Sequence, residues 1–177
     1  IRDPKPRRIF APPFGERVLH HAIMNVCETR MDRFLIDDSY ACRRGKGTRP
    51  AVARALARRF RFVLKLDIAR YFASIDHAVL LRKLARLFKD RPLRDLLARI
   101  VATYSVTPGK GLPIGTMTSQ HFANVYLGYL DHHVRDELRC RGYLRYMDDF
   151  LLYADDRAQL RTWLRAVRMW LEQELEL

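Results

Sequence analysis

Cysteine is scarce in this 177-residue sequence, which has only Cys27, Cys42 and Cys140. An odd number, widely spaced and without a CxxC pair, excludes a disulfide framework and a cysteine-based zinc site, and points to a reducing compartment. Long hydrophobic runs are missing too. No apolar stretch approaches the roughly 18 residues a membrane span needs, and none has the layout of a secretory signal. Glycine and proline number eight each, too few for a disordered chain in which 49% of residues are hydrophobic. Internal repeats and linker-like stretches are also lacking, so the length fits one domain with a real core. The sequence opens on Ile1, not Met, and closes on LEQELEL, which reads as the interior of an amphipathic helix. A fragment of a longer chain is expected.

Acid is the other local scarcity. Net charge is +13, and between residues 43 and 61 eight basic side chains occur with no acidic one: Arg43, Arg44, Lys46, Arg49, Arg54, Arg58, Arg59 and Arg61. Such a block repels itself unless a polyanion lies against it, so it is either a solvated basic helix face or, together with a carboxylate cluster elsewhere in the chain, a surface for nucleic acid. The pairs His20–His21 and His132–His133 fall in helical stretches. Adjacent helical residues face different directions, so surface or packing roles are expected and metal chelation by a pair is not.

Pro4, Pro6, Pro12 and Pro13 make the opening segment extended, with a turn. Helical spacing of Val18, Leu19, Ile23, Val26 and Met31 predicts a helix over 16–34. A loop with Gly45 and Gly47 follows, then a helix capped by Thr48, with Pro50 in its first turn, running to Phe60. FVLKLDI (62–68) reads as a buried strand. Asp76 caps a further helix, Pro92 starts the next, and a loop at 105–115 leads to a long helix over 116–138. Two strands around Asp148–Asp149 and a last helix capped by Asp155 or Asp156 complete an α+β domain, with helices on one face of a small antiparallel sheet.

The acids carry the chemistry. YLRYMDDFLLYA (143–154) places Asp148–Asp149 between two β-prone runs, where a plain hairpin would carry Asn-Gly or Asp-Gly. Two adjacent carboxylates repel, and a divalent cation resolves the repulsion. Asp67, at the end of FVLKLD, offers a third carboxylate. If the two regions are neighbours, Asp67 and Asp148 can face one another and bridge two Mg²⁺ in a phosphoryl-transfer site. Asp149 would point the other way on its strand, in an outer role. Phe72 could floor a nucleotide pocket and exclude a ribose 2′-OH, or be a core aromatic. Gly115 permits close backbone approach to a base pair, or simply precedes a capped helix formed from Thr116, Thr118, Ser119 and Gln120.

These pieces together resemble the reverse transcriptases. FVLKLDIARYF resembles the first catalytic motif, YMDD, 81 positions after Asp67, the second, and LPIGTMTSQ the glycine-containing motif between them. RRIFAPPFGERVLHHAI and SYACRRGKGTRPAV are similar to the finger motifs that precede the palm in bacterial enzymes. The resemblance implies a right-hand polymerase fold with fingers motifs over 1–61 and mainly palm over 62–177. The thumb, the remaining palm motifs and the N-terminal leader of the fingers are not matched. Ile114 and Ser119–Gln120 stand where most of the family carries Gln before the glycine and Ser-Pro after it. The IGxxxSQ pattern is similar to enzymes of diversity-generating retroelements, which make error-prone cDNA copies; a group II intron maturase-like or other bacterial enzyme is the alternative. A third reading is a polymerase-like protein that binds RNA without synthesis.

The resemblance further implies Asp67, Asp148 and Asp149 as catalytic carboxylates, with Ile68 beside them in the metal-binding set for two Mg²⁺ or Mn²⁺. It implies Lys5, Arg8, Tyr71, Phe72, Gly115 and Gln120 around the incoming nucleotide, Phe72 selecting the sugar. Arg43 and Lys46 would touch template or phosphate, and Ile114, lacking an amide, would relax base discrimination. Expected partners are an RNA template, a DNA or RNA primer, dNTPs and a small basic accessory protein. The setting would be the cytoplasm of a bacterium or a phage host, with no membrane.

Overall fold

A computed structural model describes residues 9–177, so Lys5 and Arg8 lie outside the described residues. Helix α1 (Phe14–Phe34) buries one stripe, Ile23, Met24, Cys27 and Met31, against α6 (Met117–His132). Helix α6 is the central element, buried almost without interruption from Phe122 to Gly128. At Gly128 an added Cβ would stand 2.7 Å from the Phe34 ring and 2.8 Å from the Leu35 side chain, so both would have to shift to admit one. Helices α4 (His77–Leu87) and α5 (Arg91–Ala102) close the other side. Both have aspartate caps: Asp76 accepts from the Val79 amide at 2.9 Å, Asp90 from that of Leu93 at 2.8 Å. The expected helix over 116–138 is α-helical only to His132, and a π-helical turn (His133–Glu137) completes it.

The sheet is three-stranded and antiparallel, in the order β1 (Phe62–Leu66), β3 (Asp149–Ala154), β2 (Gly142–Tyr146). Strand alternation gives it two unlike faces. Phe62, Leu64, Leu66, Tyr143, Phe150, Leu152 and Ala154 join the main core. Helix α7 (Arg157–Trp170), capped by Asp156 and not Asp155, packs against β1 and β3. The opposite face is covered only where α2 (Thr48–Leu56) sets Ala51 and Ala55 against Tyr40, Leu144 and Leu151.

Several expectations change here. The strand read as buried over 62–68 ends at Leu66 and alternates, with Val63 and Lys65 exposed, because β1 is an edge strand that α2 does not reach. Thr48 is the first helical residue of α2 and Gly47 occupies the cap. The helix stops at Leu56, short of Phe60, and beyond it the Arg58 side chain serves the carbonyls of Arg141 and Tyr143. All three cysteines are free thiols, and among the described residues no helix is long and apolar enough to cross a membrane.

Candidate active site

The register of the sheet brings the acids to one end. Leu66 pairs with Phe150, so Asp67, just after the first, and Asp149, just before the second and paired with Tyr146, come to the same end of the sheet. Asp148 sits in the two-residue turn that joins Tyr146 to Asp149. On the open face between them stands Lys65, whose Nζ lies 3.0 Å from Asp149 Oδ1. The Asp149 hydrogen bond and charge, followed by the Asp67 charge, raise the Lys65 pKa above its usual value. One ammonium thus senses two of the three expected carboxylates. Among the described residues, no three His, Cys, Asp or Glu side chains form a ready-made metal cage. Asp67 is exposed, Asp148 and Asp149 are half-buried, and Ile68 packs partly into the core.

Beneath the tip lies a second cation, and this one is fully buried. Arg145, inward-facing on β2, donates from Nε to Asp131 Oδ1 (2.6 Å) and from Nη2 to Asp131 Oδ2 (2.7 Å), a bidentate pair with no exposure on either side. Tyr143 donates its hydroxyl to the same carboxylate at 2.7 Å. Arg145 Nη1 reaches Asn124 Oδ1 (2.8 Å) and the Met147 carbonyl (2.9 Å), which belongs to the turn. Burial works against the charge of Arg145, yet Asp131 outweighs it and holds the guanidinium above its ordinary pKa. The main chain of Arg145 bonds to Asp38 and Tyr40, so the loop after α1 is tied to the edge of β2.

Tyr71 does not line a nucleotide pocket as expected. It is buried, and its hydroxyl donates to the Ala123 carbonyl at 2.5 Å. Burial pushes its phenol well above the usual range; Arg145 opposes the shift and the Asp148 carboxylate adds to it. Phe72 is half-buried against the core, edge-on to Tyr71 at 5.7 Å. Gly115 has φ +118°, and a Cβ there would fall 2.6 Å from the Phe10 carbonyl. The close approach it serves in this structure is to residues 9–10, with Phe10 N donating to the carbonyl of the exposed Ile114 at 2.8 Å. Gly115 and Gln120 do come together: with Arg17, His20, His21 and Thr116 they line a cavity of about 200 Å³. The two α1 histidines, expected in surface or packing roles, both stand in the wall of this cavity.

Arg43 and Lys46 are committed within the chain. Arg43 bonds Asp32 Oδ1 (2.5 Å) and the carbonyls of Ile36 and Ser39, while Lys46 meets Asp37 at 2.6 Å. Arg54 and Arg58 both pair with Asp38, at 2.9 and 2.7 Å. Four of the eight cations in the basic block therefore find counter-charges, Arg43 from α1 and the other three from the loop after it, and the premise that the block lacks acid holds only along the sequence. Arg44, Arg49, Arg59 and Arg61 remain exposed, and their guanidinium groups form no ion pair among the described residues, although the Arg61 main-chain N–H donates to Asp155.

The fold has relatives among solved structures. Apo telomerase from Candida tropicalis, truncated from its C-terminal domain, superposes with a TM-score of 0.65 at 12% identity, over 87% of this chain and 38% of that one. Telomerase from Candida albicans, in complex with a TWJ fragment of telomeric RNA, gives 0.59 at 13% identity, over 90% and 33%. The chain thus spans little over a third of these structures, and at such identity they share the fold. No curated protein sequence matches significantly. The family model described as reverse transcriptase (RNA-dependent DNA polymerase) matches residues 3–175. That match covers nearly the whole sequence, and the chain belongs to the reverse transcriptase family.

Proposed function

We propose that the protein carrying this chain is an RNA-directed DNA polymerase that extends a primer 3′-OH with dNTPs on an RNA template, releasing pyrophosphate. One observation best supports this: the Asp149–Lys65 pair and Asp67, just beyond the Leu66–Phe150 pair, meet at the sheet end where Asp148 occupies the hairpin turn. The donor set consists of hard oxygens, which suits Mg²⁺ or Mn²⁺, and Lys65 already stands in for a cation there. Asp67, Asp148, Asp149 and the Ile68 main-chain carbonyl would hold two ions. Such ions, when bound, activate the attacking hydroxyl and stabilise the leaving phosphates. The chain supplies the rest. Its sheet orients the acids, Lys65 yields Asp149 when a stronger cation arrives, and Phe72 limits the space beside the sugar. Gly115 and Gln120 shape one wall of the nucleotide site, and residues 1–61 act as fingers over a palm at 62–177.

Within this class the reading extends to a diversity-generating retroelement enzyme of bacterial or phage origin, working with a small basic accessory protein. Ile114 supports it, since an exposed apolar side chain beside Gly115 offers no amide to a templating pair. Ile114→Gln should reduce misincorporation opposite template adenine, and an unchanged error spectrum counts against this subgroup. The ion pair also supports a second reading, an RNA binder that makes no DNA, because Lys65 neutralises an acid that synthesis requires. Mg²⁺-dependent extension of a DNA primer on an RNA template by the full-length protein separates them. Extension is expected to vanish in Asp148→Ala; extension that survives this change removes the catalytic assignment, and its absence from the wild type favours the binder.

A further inference from the structure

We infer that Arg145 is the positioning residue of the acidic tip: locked by Asp131, its buried guanidinium holds the Met147 carbonyl and so fixes the turn that presents Asp148 and Asp149. The inference rests on the polymerase reading for its purpose, though not for its geometry.

A fully buried arginine is a poor choice for stability alone. Apolar side chains of similar volume usually serve a core as well or better, because a buried ion pair must recover the desolvation of both charges. Here every guanidinium N–H has an acceptor: Nε takes Asp131, Nη1 takes Asn124 Oδ1 and the Met147 carbonyl, and Nη2 takes Asp131, the Asn124 carbonyl and Ser39 Oγ. Asp131 and Asn124 lie two turns apart on one face of α6, the most buried helix. Ser39 comes from the loop whose main chain also pairs with Arg145. The fork therefore ties α6, that loop and the tip together.

The tip needs such a tie. A two-residue hairpin turn favours glycine or asparagine at positive φ, yet Met147 adopts φ 55°. A non-glycine residue stays in that conformation only where its surroundings over-determine it. The Met147 carbonyl, held at 2.9 Å by Nη1, is such a restraint, and it lies one residue from Asp148. Lysine could not replace the fork, having three donors on a point charge in place of five in a plane.

The test compares Arg145→Lys and Tyr143→Phe with the wild type in the full-length protein. Tyr143→Phe removes one bond to Asp131 and leaves no unpaired charge, so it answers the question should Arg145→Lys fail to fold. Amide hydrogen exchange at residues 147–149 should rise about tenfold in Arg145→Lys, and less in Tyr143→Phe, with exchange in α6 and β1 unchanged. In primer extension, kcat should fall by up to about a hundredfold while KM for dNTP moves less than about twofold. Tip exchange equal to wild type in the folded variants, or a rise spread equally over α6 and β1, overturns the inference. A wild type that never extends primers sinks the polymerase reading, and the exchange result still decides whether Arg145 holds the tip.

Discussion

Asp131→Ala should be among the most destabilising single changes in this chain. Both Asp131 and Arg145 have no exposed side-chain surface, so the pair gets little solvent screening. Removing the carboxylate breaks two short charge-assisted bonds and the Tyr143 bond, and leaves a guanidinium in the core without its counter-charge. Breaking a buried pair from one side costs about 3–5 kcal/mol. For a chain of 177 residues, at about 2–4 °C per kcal/mol, this lowers the melting temperature by about 6–20 °C. Calorimetry or circular dichroism on heating reads the shift directly. Removing both charges, as Asp131→Leu with Arg145→Met, should restore most of the loss, because the penalty belongs to the orphaned cation and not to the missing pair. A loss below about 1 kcal/mol for Asp131→Ala, or a double variant as unstable as the single, refutes this account of the network.

Gly115→Ala forces a side chain into φ +118° and against the Phe10 carbonyl, and should cost about 1–3 kcal/mol. Gly15→Ala, where an added Cβ meets nothing within 4 Å, is the control and should be neutral or stabilising; equal melting temperatures for the two variants would dismiss the contact. Burial holds His20 and His121 below the ordinary histidine value of about 6.5, with carboxylates opposing the shift in each and His21 adding to it in His20. The unfolded chain therefore takes up protons first on acidification. Stability should be complete above about pH 6.5 and fall as pH drops toward the folded values, and His121→Gln should flatten that slope of melting temperature against pH. For RNA binding, Arg44→Ala and Arg49→Ala should each lower the steepness of log affinity against log salt by about one, whereas Lys46→Ala, already paired with Asp37, should leave it nearly unchanged.

Element types were legible because their signals are local. Asp76 and Asp156 each sit one residue before a helix and cap it by a backbone-directed bond, as expected of them, and Asp90 does the same before the helix that Pro92 signals. The alternation in YLRYMDDFLLYA gives both strands and the turn. Other features depend on contacts distant in sequence. Nothing near Arg43 announces that Asp32 and two carbonyls will occupy it, or that Asp38 will serve both Arg54 and Arg58. Likewise Tyr71 reads as a site residue from its place after Asp67, but α6 supplies the Ala123 carbonyl that turns it inward.

In GYLRY the inward positions are Tyr143 and Arg145, so period two alone places a guanidinium in the core two residues before the turn. Lys65, in FVLKL, falls by the same parity on the open face. The two cations thus divide by face, and their environments suit them to different tasks. Lys65 and Asp149 are 67% and 50% exposed, so solvent screens their pairing, which is worth little and can be exchanged for a stronger cation. Arg145 and Asp131 are sealed and cannot separate without unfolding their surroundings. A catalytic carboxylate needs both conditions at once: a backbone that does not move and a side chain free to change partner. This sheet provides the first from its closed face and the second from its open one.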